Sequence, residues 1–350
     1  NVIESSAYPP AANQASSLTY QVFLTEAVSS ITLTATHASA GENAVIEFNT
    51  PTSTGNVYTF EPQQALSTEL EGVYYPTLML EDLAGNTNTF VYDPSIDSNS
   101  LASFTLDSTN PTVSNWSLTS TNEAVNTRCG VDETGTRVGA AKGDEISLSF
   151  EATDTVQGGI AEVVVKLGNE TINCNASGSV YTCDATITSE TFPDGLSDFN
   201  IVVSDTAGNV VSQDYGSVCV DTTAANIVTS NVYPEKANRE SELRYQVFLT
   251  EEVLDVTLTA AHESDGSSLL FLVEEQTSSS VHTFILNSED ESAGNLTPLQ
   301  LATEGVYHPS LTIIDLAGNS VVHAFNPDSL DNTLVPIELD STAPVISDVA

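Results

Sequence analysis

The sequence predicts an all-β protein built from three tandem β-sandwich units. Three observations predict it. A turn motif, Asp-x-Ala-Gly-Asn, occurs three times. Two long stretches near the start recur near the end. Apolar and polar residues alternate with the period of two that a half-buried strand requires.

The turn motif reads Asp82-Leu83-Ala84-Gly85-Asn86, Asp205-Thr206-Ala207-Gly208-Asn209 and Asp315-Leu316-Ala317-Gly318-Asn319. Each copy lies between two β-like runs, and Gly-Asn there signals a hairpin because both residues tolerate positive φ. The stretch Tyr20-Gln21-Val22-Phe23-Leu24-Thr25-Glu26 returns as Tyr245 to Glu251, and Glu71-Gly72-Val73-Tyr74-Tyr75-Pro76 returns as Glu304 to Pro309 with His308 replacing the second Tyr. The later copy carries an insertion near 288–294. A closing motif recurs at Asp107-Ser108-Thr109-Asn110-Pro111, Asp221-Thr222-Thr223-Ala224-Ala225 and Asp340-Ser341-Thr342-Ala343-Pro344, where Asp ends a strand and Pro, when present, prevents its continuation.

These linkers cut the chain into 1–108 (type A), 109–222 (type B), 223–341 (type A again) and a last piece, 342–350, read as the first strand of a further repeat. Each full unit has the length of an immunoglobulin-like sandwich, and turn signals recur at the spacing such a sandwich needs. Leu18, Tyr20, Val22 and Leu24 share one strand face, Ile31 to Ala35 alternates likewise, and Val163-Val164-Val165 reads as a short buried strand. The first residues align with Asn226 to Tyr233, and Pro344 to Ser347 align with Pro111 to Ser114. The expectation is therefore a window on a longer array of alternating unit types.

Composition narrows the partners. Lys and Arg number 7 against 48 Asp and Glu, for a net charge of −41, while hydrophobic residues make up 40%. Phosphate backbones need cations to hold them, so nucleic acid is excluded as a partner, and an anionic membrane surface is disfavoured. No apolar run reaches the length of a membrane span, and no signal peptide is visible. The carboxylates either bind divalent cations or keep the surface hydrated.

The early Thr25-Glu26-x-Val28, the late Asp-x-Ala-Gly-Asn and the closing Asp-Ser-Thr-x-Pro together resemble the tandem immunoglobulin-like or cadherin-like repeats of large surface adhesins. The resemblance covers the whole chain. It departs at the second linker, which lacks its Pro, and in the early segment of the middle unit. In those repeats acidic residues at the joints bind Ca²⁺ and stiffen the array. The resemblance implies one joint site from Asp107, Asp205 and either Glu151 or Asp154, and a second from Asp221, Asp315 and Glu251. Asp82 with Glu26 is half a site, as is Asp340. The alternative for each turn Asp is local chemistry, a carboxylate bonded to a backbone N–H two residues on.

All four cysteines lie in the middle unit, which favours disulfides and an oxidising compartment. Cys174 and Cys183 flank a short turn, which leaves Cys129 with Cys219. Sequons stand at Asn115, Asn169, Asn175 and Asn295. His37 and His262 are equivalent by repeat position, and no histidine or serine sits in a catalytic spacing. The expected function is structural, an extracellular or cell-surface stalk, adhesive fibre or filament, with neighbouring repeats and other copies of the chain as partners and no catalysis. The alternative is a module that binds a surface glycan or protein through the insertion or the disulfide-tied loop of the middle unit.

Overall fold

The computed structural model describes all residues except 67–68, 97–99, 123–128, 130–136, 156–158, 287–298, 300–301, 330–331 and 346–350; the side chains of 270 and 272–277 are likewise left undescribed. The insertion near 288–294, the sequon at Asn295 and most of 342–350 therefore lie outside the described residues. The described residues fall into two compact units: Asn1–Ser117 with Leu148–Asp184 and Asp198–Tyr215, and Leu118–Ser147 with Ala185–Ser197 and Gly216–Ala350.

The architecture is three β-sandwiches, each a pair of sheets. In the first, β1 (Val2–Tyr8), β3 (Thr19–Leu24), β7 (Val57–Phe60) and β6 (Thr52–Thr54) make one sheet in the order β1-β3-β7-β6. The other runs β2-β10-β8-β4-β5, with β2 (Ala11–Ala12), β10 (Phe104–Leu106), β8 (Gly72–Asp82), β4 (Val28–His37) and β5 (Gly41–Glu47), while β9 (Thr87–Val91) also pairs with β8. These orders are the A-B-E-D and A′-G-F-C-C′ sheets of an immunoglobulin-like sandwich, with β8 as strand F. The middle sandwich repeats them with β11 (Thr112–Ser120), β13 (Glu145–Thr153), β17 (Val180–Thr186) and β16 (Cys174–Ser177) in one sheet. Its second sheet is β12 (Arg137–Ala141), β19 (Val210–Asp221), β18 (Gly195–Asp205), β14 (Ile160–Leu167) and β15 (Glu170–Ile172). In the third, β20 (Ile227–Tyr233), β22 (Arg244–Leu249) and β26 (Val281–Ile285) share the first sheet with β25 (Leu272–Ser278). The second holds β21 (Lys236–Ala237), β29 (Ile337–Leu339), β27 (Gly305–Asp315), β23 (Val253–His262) and β24 (Ser268–Leu270), with β28 (Ser320–Ala324) paired to β27.

Alternation builds the cores. Along β3 the even positions Tyr20, Val22 and Leu24 are buried and the odd ones half-buried, and β22 repeats this with Tyr245, Val247 and Leu249. Each fully buried side chain of this size contributes roughly 1.5–3 kcal/mol of transfer free energy. The buried hydroxyls are satisfied, as they must be. Tyr20 Oη lies 2.9 Å from the Ala102 carbonyl and from Ser5 Oγ, and Tyr245 Oη bonds Val335 and Ser230 in the same way. Burial pushes both phenols up to about 12. On strand F, Tyr74 donates its hydroxyl to the Leu70 carbonyl at 2.8 Å, and Tyr307 donates to Thr303 at 2.9 Å. This is the tyrosine corner of immunoglobulin-like sandwiches.

Both disulfides form with the expected pairing. Cys174 and Cys183 face each other across β16 and β17 with Cα atoms 4.1 Å apart, and Cys129 joins Cys219 of β19 at 5.9 Å. Val163 and Val164 are only half-buried, so the Val163-Val164-Val165 run is not the fully buried strand its composition suggests; Val165 alone turns to the core.

Candidate metal centre

The turn motif joins strands F and G of each sandwich, and its chemistry is the same three times. The Asp accepts the N–H of the Ala two residues on and of the Asn four residues on with one oxygen, and the Asn side-chain amide with the other. The distances are 2.8, 2.9 and 2.8 Å for Asp82, 2.8, 2.9 and 2.7 Å for Asp205, and 2.9 Å throughout for Asp315. The Gly adopts φ near +90° in every copy, which only Gly enters without strain. The bonds from Asn86 hold the half-buried Asp82 carboxyl below the usual carboxylate range. Local turn chemistry therefore engages both oxygens of the motif Asp in every copy.

The Asn does something further. Asn209 Nδ2 also donates to the Asp107 carbonyl at 2.9 Å, and Asn319 Nδ2 to the Asp221 carbonyl at 2.9 Å. Each linker is thus clasped to the next sandwich's F–G turn by the motif's last residue. The threefold repeat of that Asn was visible in the sequence, but hairpin geometry alone explained it there.

At the first joint three carboxylates converge. Asp107, Asp154 and Asp205 each place an oxygen within 4.8 Å of the other two. Asp107 and Asp205 are 1% and 2% exposed, and Asp154 is half-buried. Asp107 Oδ1 accepts the Thr109 N–H at 3.0 Å, whereas Oδ2 is buried with no hydrogen-bond partner among the described residues. Burial pushes the Asp107 carboxyl up to about 6, and the charges of Asp154, Asp205 and Glu71 add to the effect. Among the described residues this carboxylate has no positive partner. The donor set is all oxygen, which suits a hard divalent cation of loose geometry such as Ca²⁺ and not zinc.

Of the two residues the sequence offered for the third ligand, the structure brings Asp154 and leaves Glu151 out. Glu151 instead accepts Asn115 Nδ2 at 2.8 Å. The backbone gives the alignment: the N–H groups of Ala152, Leu24 and Leu249 bond Ser179, Asn56 and Ser280, which makes Asp154 the counterpart of Glu26 and Glu251.

The second joint is built differently. Asp221 and Asp315 are buried at 2% and 0% exposure, and Asn319 touches both. Glu251 is half-buried and lines a cleft with Asp221, Thr223, Thr250 and Leu316. Among the described residues the first-joint trio is the only set of three acidic, histidine or cysteine side chains that converges this closely. Asn122 supplies hydrogen bonds there instead, its amide donating to the Ala317 carbonyl and to Asp144 Oδ2, both at 2.7 Å. Glu26 and Asp340 are exposed and Asp82 half-buried.

The sequons divide. Asn169 and Asn175 are exposed, next to and on the edge strands β15 and β16. Asn115 is exposed too, but its amide nitrogen, the atom a glycan would take, is engaged with Glu151.

No family model matches the sequence, and no curated protein does. Solved structures similar in strand architecture do exist. A three-domain immunoglobulin segment of titin is 12% identical over 95% of each chain, with a TM-score of 0.40. A structure from work on host-cell-surface retention of a 1.5-MDa bacterial ice-binding adhesin is 13% identical over 93% of this chain and 95% of that one, at 0.35. A tetra-tandem repeat from the extending region of a large adhesion protein is 14% identical over 90% of this chain and 72% of that one, at 0.27.

Proposed function

We propose that this chain is a structural segment of an extracellular or cell-surface array of immunoglobulin-like repeats, an adhesin, stalk or filament, and that Ca²⁺ bound by Asp107, Asp154 and Asp205 stiffens its first joint. The observation that carries the reading is the buried, unpartnered oxygen of Asp107 beside two further carboxylates at a point where two sandwiches meet. Three acids so close repel one another, and a divalent cation turns that repulsion into a bridge between linker, B-strand end and F–G turn. Glu251, the counterpart of Asp154, would have to swing towards Asp221 and Asp315 to complete a second and weaker site. The disulfides and the exposed sequons at Asn169 and Asn175 fit an oxidising, glycosylating compartment. Neighbouring repeats are the partners this reading requires; other copies of the chain are the partners if it assembles into a filament.

Calorimetric titration of the chelator-treated chain with Ca²⁺, beside the Asp154→Asn variant, tests the proposal. One high-affinity event that the variant loses, with a rise in melting temperature on binding, is the expected result. Heat-silent titration with unchanged melting in the unsubstituted chain would sink it.

A further inference from the structure

Each sandwich carries one exposed acid immediately before strand F: Glu71, Asp194 and Glu304. All three reach the linker that leaves the same sandwich. Glu71 accepts the Ser108 N–H at 2.8 Å with one oxygen and the Thr109 hydroxyl at 2.7 Å with the other. Glu304 accepts Ser341 N–H at 3.2 Å and Thr342 Oγ1 at 2.8 Å. Asp194, one methylene shorter, accepts the Thr222 N–H at 2.6 Å and hydroxyl at 2.8 Å, and the Thr223 hydroxyl at 2.6 Å. These are charge-assisted, two-point grips of a carboxylate on a backbone N–H and a hydroxyl.

Two of the acids are themselves fixed from behind. The ring of His37 bonds the Glu71 carbonyl at 2.8 Å, and that of His262 bonds the Glu304 carbonyl at 3.1 Å. The following residue is Gly at all three places, with φ of +140°, +127° and +141°. At Gly72 and Gly305 a Cβ would run into the histidine ring.

The third copy repeats the grip. Asp340 is exposed, yet Glu304 holds Ser341 and Thr342 just as Glu71 holds Ser108 and Thr109. The Asp340 carboxylate also accepts the Thr342 N–H at 3.0 Å, as Asp107 accepts that of Thr109. The linker is shaped by its own sandwich.

We infer that Glu71, Asp194 and Glu304 are positioning residues that lock each linker into one course, so that its Asp is presented to the next F–G turn already oriented. For Glu71 the consequence rests on the cation reading above. Holding Ser108 and Thr109 fixes Asp107, so the clamp preorganises the cation site without touching the ion. Outer partners of this kind typically contribute about 10–100-fold in metal affinity.

The test uses the full chain with Glu71→Ala, Glu71→Gln and Thr109→Val. Spin labels on non-cysteine handles at the exposed Ser53 and Glu170 report the spread of distances across the first joint, and calorimetric titration reports Ca²⁺ affinity. Glu71→Ala and Thr109→Val, which attack the clamp from opposite ends, are expected to broaden the distances in chelator and to weaken Ca²⁺ about tenfold. Glu71→Gln keeps an acceptor for the Ser108 N–H and a donor for the Thr109 hydroxyl, so it is expected to stay close to the parent on both readouts. That rescue separates positioning from a general loss of packing. Distances as narrow in both clamp-breaking variants as in the parent would overturn the inference. If the parent takes up no Ca²⁺, the cation reading fails alone, and the distance measurement still decides the clamp.

Discussion

Asp107 concentrates the physical tension of the molecule in one side chain. It is nearly inaccessible, carries an unpartnered oxygen, and faces Asp154 and Asp205. Its carboxyl is pushed up to about 6, so the folded chain holds a proton there that the unfolded chain releases near the ordinary value of 3.8. The stabilisation from that proton is fully present below 3.8 and is lost as pH rises through about 6. His282 has the opposite sign. Burial lowers its affinity for a proton, and its Nε2 has no hydrogen-bond partner among the described residues. Stability from this site is present above the ordinary histidine value of 6.5 and is lost as pH falls below it. In the first sandwich the matching place in the register is Tyr58, whose hydroxyl accepts the Val28 N–H at 3.3 Å. Calorimetry in chelator should therefore show one transition that weakens as pH rises from 3.8 through about 6 and is restored by Asp107→Asn. A second transition, weakened below pH 6.5, should be restored by His282→Tyr. Two profiles unaffected by these substitutions would reject the assignment.

At the scale of the element, the Asp-x-Ala-Gly-Asn hairpin serves two ends with one set of residues. The Asp and Gly shape the turn in all three copies, and the Asn reaches past it to the preceding linker in two of them. Among the described residues the Asn86 side chain makes the turn bond alone. Losing a hydrogen bond that leaves a buried carbonyl unsatisfied costs about 1–3 kcal/mol, whereas an exposed turn bond contributes about 0.5–1.5 kcal/mol. Denaturant titration of Asn209→Ala and Asn319→Ala should accordingly show a larger loss than Asn86→Ala. Equal losses would mean that the turn alone matters. The two joints also differ as elements. One gathers carboxylates and the other spends Asn122 on the Ala317 carbonyl. If the first joint takes up the proposed cation, a cation would act at one joint while hydrogen bonds hold the next.

For the whole molecule the dominant quantity is a net charge of −41 carried with only 7 basic residues. Such a surface repels itself, and salt relieves the repulsion between exposed charges as the screening length falls from ~30 Å at 0.01 M to ~3 Å at 1 M. Monovalent salt should raise the melting temperature of the parent and of Asp154→Asn alike, because it acts on the diffuse charge. Millimolar Ca²⁺ should raise the parent's further and leave the variant's nearly unchanged. A variant that keeps the full Ca²⁺ response would assign that response to the surface rather than to the joint.

The sequence by itself determined the all-β class, the threefold repeat and the disulfide pairing. These follow from period-two alternation, recurring turn chemistry and the closeness of Cys174 to Cys183, which are local and leave Cys129 with Cys219 by elimination. It also put Asp107 and Asp205 in one site, because their places within a repeat fix their places at a sandwich end. Tertiary structure decided what depended on register and reach. It chose Asp154 over Glu151, since one strand position more or less turns a side chain to the other face. It showed the motif Asn joining turn to linker, and it brought Glu71, Asp194 and Glu304 onto linkers dozens of residues away. Both halves of that clamp were present as repeated motifs, but nothing in their spacing says that they meet. Contacts between the start of one strand and the end of another are set by how sheets stack, and that arrangement exists only in the folded chain.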